Sequence, residues 1–321
     1  MALWGSGRGM IRQPLRIGTR ASKLALAQAG QMRARIAAGL GDDAAAVLVH
    51  ITTSGDKVQD RRLMDIGGKG LFTKEIEDAL LDGRIDCAIH SLKDMPAEGP
   101  AGLVIAAIPE REDPRDAFLS VRFDTLDTLP RGARLGTASL RRQAQALRAR
   151  PDLLIEPLRG NVDTRLARLE RGEFDAILLA AAGLNRLGLG GAPRAWLDPI
   201  ATPPAPGQGA LAIQTRVEDQ AADWLAALRH RETELAVAAE RGALTALEAS
   251  CRTAVGAYAV VEAGEVRLVV EALTPDGART FRETGSVSAD GPDAEARARA
   301  LGLTLGHRIA ERGGAALLIG P

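Results

Sequence analysis

Residues 15–40, LRIGTRASKLALAQAGQMRARIAAGL, begin with a short strand-like run and continue into a long helix-like one. The run 15–20 predicts a β-strand. Ser22 is a suitable N-cap for a helix over 22–40, because its hydroxyl can accept a hydrogen bond from a first-turn amide. The same succession continues with a strand at 45–53, an amphipathic helix at 71–84 and strands at 85–92 and 103–109. This rhythm predicts a mostly parallel sheet with helices on both faces.

A charged, proline-containing segment at 111–120 interrupts this alternation of strands and helices, and a second alternating set follows it. The second set comprises a strand at 133–138, a helix at 139–150, a strand at 152–158, a helix at 161–172 and an apolar segment at 174–183. A second linker, rich in proline and glycine, follows at 198–209. Two similar α/β halves that the chain joins twice predict two lobes, a cleft between them and a paired hinge.

The last third of the chain has a different pattern. Helical runs over 218–249 precede an alternating segment at 254–287, which turns at EAGE and TPDGA and predicts an antiparallel meander. A final helix is predicted over 293–313. These elements predict a small α+β domain, with Cys251 between its first helix and its first strand.

Composition narrows the class of protein. The 321 residues are 46% hydrophobic and 26% charged, with a formal net charge of zero, so neither nucleic acid nor an anionic membrane is expected as a partner. No apolar run is long enough to span a bilayer, and the start of the chain lacks the apolar core of a signal peptide. Two cysteines do not form a disulfide framework, which favours a reducing, cytoplasmic location. We expect a monomer.

Three strand-to-helix turns carry hydroxyl and guanidinium groups: GTRAS at 18–22, GTASLRRQAQ at 136–145 and LRGNVDTRL at 158–166. The free amides and the dipole at a helix N-terminus favour an anion. Each turn alone also suits a capped surface helix with solvated arginines. Three of them at the carboxyl ends of strands, where open α/β sheets bind ligands, indicate a cleft for a polyanion.

Other segments could contribute to this cleft. The segment GGKGLFTKE at 67–75 is either a basic loop over the cleft or an ordinary helix start, and it lacks the spacing of a phosphate-binding loop. In HSLKDMP at 90–96, strand alternation would place Ser91 and Lys93 on one face. Asp94 is a candidate acid, base or cation stabiliser, or else half of a surface Lys–Asp pair. Gln208 could reach the cleft from the second linker.

The two cysteines lead to different predictions. Cys87 is expected to be buried within a strand rather than to bind a metal, and no metal site is predicted. A lone cysteine such as Cys251 is usually inert, but Arg252 beside it favours the thiolate. A two-lobed receptor for a small polyanion would need neither Cys251 nor Asp94. A cysteine hydrolase would need a histidine that converges on Cys251, and no histidine has a suggestive context.

Taken together, the motifs resemble those of the porphobilinogen deaminase family, from about Leu15 into the C-terminal domain. The segments that carry the resemblance, in the family's order, are GTRASKLALAQA, GGKGLFTKEIEDALL, HSLKDMP, EREDPRDAF, GTASLRRQAQ, LRGNVDTRL, AGLNRLGL, PGQGALAI and the segment around Cys251. The resemblance implies a transferase of tetrapyrrole and haem biosynthesis. Such an enzyme joins four porphobilinogen molecules head to tail with loss of ammonia, and then releases hydroxymethylbilane by hydrolysis.

The resemblance also implies a fold and a domain division. The expected fold class is α/β, with two lobes like those of type-II periplasmic binding proteins, each with a mixed sheet, a hinge between them, and a small C-terminal α+β domain with an antiparallel sheet. The implied domains are 1–109 plus 206–228 for lobe 1, 110–205 for lobe 2, and 229–321 for the C-terminal domain that carries the cysteine.

The implied site contains a covalent dipyrromethane cofactor, held by Cys251 through a thioether. Asp94 is the implied catalytic residue, which faces the pyrrole N–H groups and stabilises the positive charge that develops as ammonia leaves. The other implied cofactor contacts are Lys93, Ser139, Arg141, Arg142, Asp94 and Gly160. The implied substrate contacts are Arg20, Ser22, Lys69, Thr137, Arg159, Arg165 and Gln208.

Three positions depart from the family pattern. Ala254 stands where the family usually has proline, three residues after the cysteine. Asp65 stands where some members carry a basic residue, and Ser54 where some carry arginine. We therefore expect two anion contacts to be missing or supplied by other residues.

Overall fold

The computed structural model describes residues 14–57, 72–247 and 253–317, and the strands in these parts of the chain form three sheets. The elements of the first α/β unit are β1 (Leu15–Thr19), α1 (Lys23–Leu40), β2 (Ala46–His50), α2 (Ser54–Lys57), α3 (Lys74–Leu81), β3 (Cys87–Ser91), β4 (Leu103–Ala107) and β10 (Leu211–Arg216). Their sheet has the order β2-β1-β3-β10-β4, in which β10 is antiparallel to both neighbours.

Local sequence explains why α1 begins and ends where it does. The Ser22 hydroxyl accepts a hydrogen bond from the Ala25 amide at 3.3 Å, as the sequence predicts. The helix ends at Gly41, whose φ of 72° is in the left-handed region that favours glycine. Its buried stripe, which packs against the first sheet, consists of Gln28, Ala29, Met32, Ile36 and Ala37. The cap and this stripe fix the start of α1 at the carboxyl end of β1.

The second α/β unit repeats this plan. Its elements are β5 (Asp116–Leu119), β6 (Arg134–Gly136), α4 (Leu140–Ala149), β7 (Leu154–Glu156), α5 (Val162–Glu170), β8 (Ala176–Ala180), α6 (Ala181–Arg186) and β9 (Ala195–Trp196). The sheet order is β7-β6-β8-β5-β9, with β5 antiparallel to both neighbours.

The chain passes between the two sheets at 108–115 and again at 197–210. Each crossing leads into the antiparallel strand of the sheet that it enters, β5 and then β10. In both sheets, the turns that carry hydroxyl and guanidinium groups follow the carboxyl ends of parallel strands. The predicted fold class, two mixed-sheet α/β lobes joined twice, is confirmed.

The remaining elements are α7 (Asp223–Ala226), α8 (Arg231–Ala246), β11 (Ala254–Glu262), β12 (Glu265–Leu273), β13 (Thr280–Ser288) and α9 (Ala294–Gly313). The three strands form the predicted antiparallel meander, and α8 and α9 pack against it through one shared apolar core. The first hairpin turns at Ala263 and Gly264, with φ of 51° and 76°. Ala254, the departure from the family pattern, is the buried first residue of β11 and pairs with Leu273.

One detail differs from the sequence predictions. The helical region predicted at 218–249 is divided, within the described residues, into a 3-10 turn at Val217–Asp219, α7 and α8. One interruption lies at His230, where the backbone amide donates to the Ile108 carbonyl oxygen at 2.9 Å and so leaves the helical pattern.

No helix in the described parts of the chain is long and apolar enough to cross a membrane. Cys251, Lys69 and Asp65 lie outside the described residues.

Candidate active site

Asp94 reaches the carboxyl edge of the first sheet because β3 ends in a tight turn. The strand stops at Ser91, and a single 3-10 turn, Leu92–Asp94, follows. Leu92 is buried in the apolar core, whereas Asp94 is exposed and Lys93 is half-buried. The alternation expected from a continuing strand is therefore wrong beyond Ser91, since the 3-10 turn sets the directions of Lys93 and Asp94.

A buried ion cluster around Asp116 lies at the start of β5. Arg141 Nη1 donates to one carboxylate oxygen of Asp116 at 2.7 Å, and Arg142 Nη2 donates to the other at 2.8 Å. Burial by itself raises the pKa of Asp116, but the charges and hydrogen bonds of the two arginines outweigh it and hold that pKa far below its usual value. Asp116 thus remains a carboxylate that offsets one of the two guanidinium charges.

Gln208 connects this cluster to the Asp94 turn. Its Nε2 donates to Asp116 Oδ1 and to the Pro114 carbonyl oxygen, each at 2.8 Å. Its Oε1 accepts a hydrogen bond from Lys93 Nζ at 3.4 Å. Because Gln208 belongs to the second crossing and Pro114 to the first, one buried amide joins both crossings to Lys93.

The hydroxyls predicted to bind a ligand also shape their own turns. Ser139 Oγ accepts from the Arg142 amide at 3.4 Å and caps α4, and Thr137 Oγ1 accepts from the Ser139 amide at 3.1 Å. Gly160 has a φ of 104°, and a Cβ there would lie 2.9 Å from Thr164 Cγ2. Only glycine fits this turn without strain. The Ser139 cap and Gly160 thus fix where α4 and α5 begin.

The second lobe carries unneutralised positive charge beside these turns. Arg159 Nη1 is buried and has no hydrogen-bond partner among the described residues. Arg165 Nε donates to the Gly160 carbonyl oxygen at 2.8 Å. Burial lowers the pKa of Arg165 to about 10, and the neighbouring guanidiniums of Arg142 and Arg159 act in the same direction. The Asp94 carboxylate opposes that shift, so it is close enough to act on the charge of Arg165.

The first lobe contributes Arg20 and Ser22 from the turn after β1. The Arg20 guanidinium lies over the Phe72 ring, 4.2 Å from its centroid, and Ser22 caps α1. The next residue, Lys23, bridges to Asp163 of α5 with Nζ and Oδ2 2.8 Å apart. This ion pair brings the start of α1 near the start of α5 across the cleft. Ser54, by contrast, is engaged with Glu75, to which its amide donates at 2.8 Å.

Sequence reasoning missed two buried carboxylates, Asp116 and Glu240. Glu240 of α8 accepts hydrogen bonds from Arg111 Nη1 at 2.6 Å, from the Gly207 amide at 2.6 Å and from the Ala259 amide at 2.8 Å. It therefore ties both crossings to the C-terminal sheet. The only sequence signal for either residue is an acidic side chain within an apolar run, in DAFL and in AVAAERGAL.

The described residues contain no cluster of three or more histidine, cysteine or acidic side chains that could hold a metal ion. Cys87 is fully buried in β3, and burial raises the pKa of its thiol, which disfavours the thiolate. It is a core residue, in agreement with its expected role.

The catalytic efficiency is expected to fall as the pH rises through about 8. Burial lowers the pKa of Lys93 to about 8, while the nearby Asp94 carboxylate raises it. Above that pH Lys93 loses the charge that would attract a carboxylate ligand. The pH profile of kcat/KM reports ionisations of the free enzyme, so it is the measurement to make. Lys93→Arg should remove the fall because arginine stays protonated; an unchanged fall in Lys93→Gln would exclude Lys93 as its source.

Comparisons with known proteins place the chain in a family. The sequence model for "Porphobilinogen deaminase, dipyromethane cofactor binding domain" matches residues 15–223, and that for "Porphobilinogen deaminase, C-terminal domain" matches residues 234–311. The chain belongs to the porphobilinogen deaminase family. The porphobilinogen deaminase of Caulobacter vibrioides strain NA1000 is 66% identical over 320 residues, which cover 97% of this chain and 99% of the relative. That of Phenylobacterium zucineum is 61% identical, with 97% and 100% covered.

More distant likenesses occur among solved structures. The methionine-binding protein MetQ is 13% identical, with a TM-score of 0.44, and the match covers 67% of this chain and 88% of that one. A periplasmic substrate-binding protein of an ABC transporter from Coxiella burnetii is 15% identical, with a TM-score of 0.42 and coverage of 67% and 89%. Membership of the porphobilinogen deaminase family confirms three predictions: a transferase, a role in tetrapyrrole synthesis and a dipyrromethane cofactor. The receptor and hydrolase alternatives do not fit this family.

Proposed function

We propose that this chain is a porphobilinogen deaminase in which Cys251 holds the dipyrromethane and Asp94 acts on the incoming porphobilinogen. The observation that carries the proposal is an exposed Asp94 carboxylate whose charge acts on Arg165 in the cationic cluster of the other lobe, where Arg159 Nη1 is buried without a partner among the described residues. Each pyrrole unit of substrate and product bears an acetate and a propionate. Guanidinium groups bind such carboxylates with two parallel hydrogen bonds.

The residues present fit a bound oligopyrrole. The Asp116 carboxylate offsets only one of the two charges of Arg141 and Arg142, so the cluster keeps a net positive charge that suits a polycarboxylate. The proposed cofactor contacts beside Cys251 are Lys93, Asp94, Ser139, Arg141, Arg142 and Gly160. When bound, the dipyrromethane supplies the primer for the head-to-tail joining of four porphobilinogen units, which ends in hydrolytic release of hydroxymethylbilane.

The chain's own residues bind the incoming substrate and stabilise charge. The proposed substrate contacts are Arg20, Ser22, Lys69, Thr137, Arg159, Arg165 and Gln208. Asp94 accepts hydrogen bonds from pyrrole N–H groups. Its carboxylate also stabilises the positive charge that develops on the substrate as the bond to ammonia breaks. The 3-10 turn and the buried Leu92 fix the backbone that presents Asp94 at this edge of the sheet.

Asp94→Asn is expected to lower kcat about a hundredfold, because the amide keeps the shape but loses the charge that stabilises the transition state. Asp94 is exposed, so the thermal stability should change little. Steady-state kinetics on protein whose intact mass shows a retained cofactor would measure the effect on catalysis alone. The matched control is Glu98→Gln, which removes the charge of an exposed side chain four residues from Asp94 and should leave kcat unchanged. Wild-type kcat in Asp94→Asn would overturn the proposed role.

The domain division 1–109 plus 206–228, 110–205 and 229–321 is part of the proposal. It is supported by β10, which returns to the first sheet after the second crossing, and by the shared core of α8, α9 and the antiparallel sheet. We also propose a cytoplasmic monomer whose partner is porphobilinogen, with no nucleic-acid or membrane partner. The zero net charge and the two cysteines of the sequence support this part.

A further inference from the structure

Helix α8 of the C-terminal domain packs directly on the segment that carries Asp94. Val237 belongs to the same buried apolar cluster as Leu92 and Met95, the residues on either side of the Lys93–Asp94 pair. One turn further along α8, Arg241 Nη2 donates to the Pro96 and Ala97 carbonyl oxygens at 2.7 and 2.8 Å. The same helix face thus contacts the segment on both sides of Asp94.

The charge of Arg241 strengthens this contact. Burial lowers the pKa of Arg241 to about 10, and the nearby Arg299 acts in the same direction, yet the group stays protonated at neutral pH. None of the salt bridges within residues 14–57, 72–247 and 253–317 involves Arg241. Within the described residues, carbonyl oxygens alone offset this partly buried guanidinium, so it depends on those hydrogen bonds, and charge-assisted bonds of this kind are short and strong.

We propose that Arg241 is a positioning residue that sets Asp94 relative to the primer on Cys251. Arg241 precedes Cys251 by ten residues on the helix that leads to it, and Pro96 follows Asp94 by two. The bond therefore joins the two chain segments whose side chains must act on the same substrate. The inference rests on the proposed roles of Asp94 and Cys251.

Other contacts also dock the C-terminal domain. Glu240 holds both crossings through Arg111 and the Gly207 amide, and Val237 packs in its apolar cluster, and neither contact uses the Arg241 side chain. Loss of Arg241 should therefore loosen the segment around Asp94 without separating the domains. Small displacements of a catalytic group lower the rate of the chemical step more than substrate binding.

Arg241→Ala is expected to lower kcat about tenfold while KM changes less than about twofold. Amide hydrogen exchange of the free protein should rise in peptides covering 92–100 and stay unchanged in peptides covering 231–240. Intact mass should show that the cofactor is retained. Arg241→Lys, whose ammonium can still donate to a carbonyl oxygen, should recover part of the loss. If the alanine variant does not fold, Arg241→Lys and Arg241→Gln carry the same comparison.

Arg299→Ala is the matched control, because Arg299 is exposed on α9 and shares the electrostatic environment of Arg241. An equal loss of kcat in Arg299→Ala would overturn positioning in favour of a general charge effect. Wild-type kcat and wild-type exchange in Arg241→Ala would overturn it as well. If Asp94→Asn lowers kcat and Arg241→Ala does not, only this inference fails. If Asp94→Asn has no effect, the proposed function fails first.

Discussion

Cys251→Ala is expected to yield a folded protein that carries no dipyrromethane and has no measurable deaminase activity. A thioether forms only where a thiolate can attack, and alanine offers no nucleophile. Intact mass measurement of both purified proteins is the direct test. The wild type should exceed its sequence mass by two linked pyrrole units, and the variant should match its sequence mass. Incubation with porphobilinogen should leave the variant unmodified.

Cys87→Ala is the matched control, since it removes the only other cysteine. Cys87 is fully buried in β3 and its raised pKa disfavours the thiolate, so this variant should keep both the added mass and the activity. Retention of the added mass in Cys251→Ala, or its loss in Cys87→Ala, would contradict the assignment of Cys251 as the attachment site.

Asp116→Ala is expected to lower the free energy of unfolding by about 3–5 kcal/mol, because it leaves Arg141 and Arg142 buried without their counter-charge. The same change should prevent cofactor assembly, since Asp116 holds Arg141 and Arg142 at the start of α4 and accepts a hydrogen bond from Gln208 of the second crossing. Urea denaturation at neutral pH measures the stability. The folded-state pKa of Asp116 is depressed, so its contribution is present above the unfolded pKa of about 4 and is lost as the pH falls below it.

The control for Asp116 is Asp163→Ala, which removes an ion-paired aspartate from the surface. Asp163 and its partner Lys23 are both well exposed, so the loss should be at most about 1 kcal/mol. The difference in stability between wild type and Asp116→Ala should shrink as the pH falls below about 4, whereas Asp163→Ala should show no comparable change. Equal stability losses in the two variants would mean that the Asp116 cluster is not a buried, coupled unit.

Several parts of the fold and of the site were predictable because their signals are local. The cap of α1 by Ser22, the glycine at position 160 and the turn at Ala263 and Gly264 each depend on a few consecutive residues. The order of the motifs was sufficient for the family. Asp116 and Glu240 were not predictable, since their partners lie up to 129 residues away. The 3-10 turn at Leu92–Asp94 was also missed, because strand alternation says nothing about where a strand ends.

By itself, the sequence determined the element types, the two α/β units, the antiparallel C-terminal domain and the turns rich in arginine, since periodicity, capping and turn chemistry are properties of neighbouring residues. Only the tertiary structure decided which of those arginines are neutralised. Arg141 and Arg142 share Asp116, whereas Arg159 forms no ion pair within the described residues. The physical reason is that ion pairing and desolvation depend on distance and burial, which arise only when both crossings bring distant segments together.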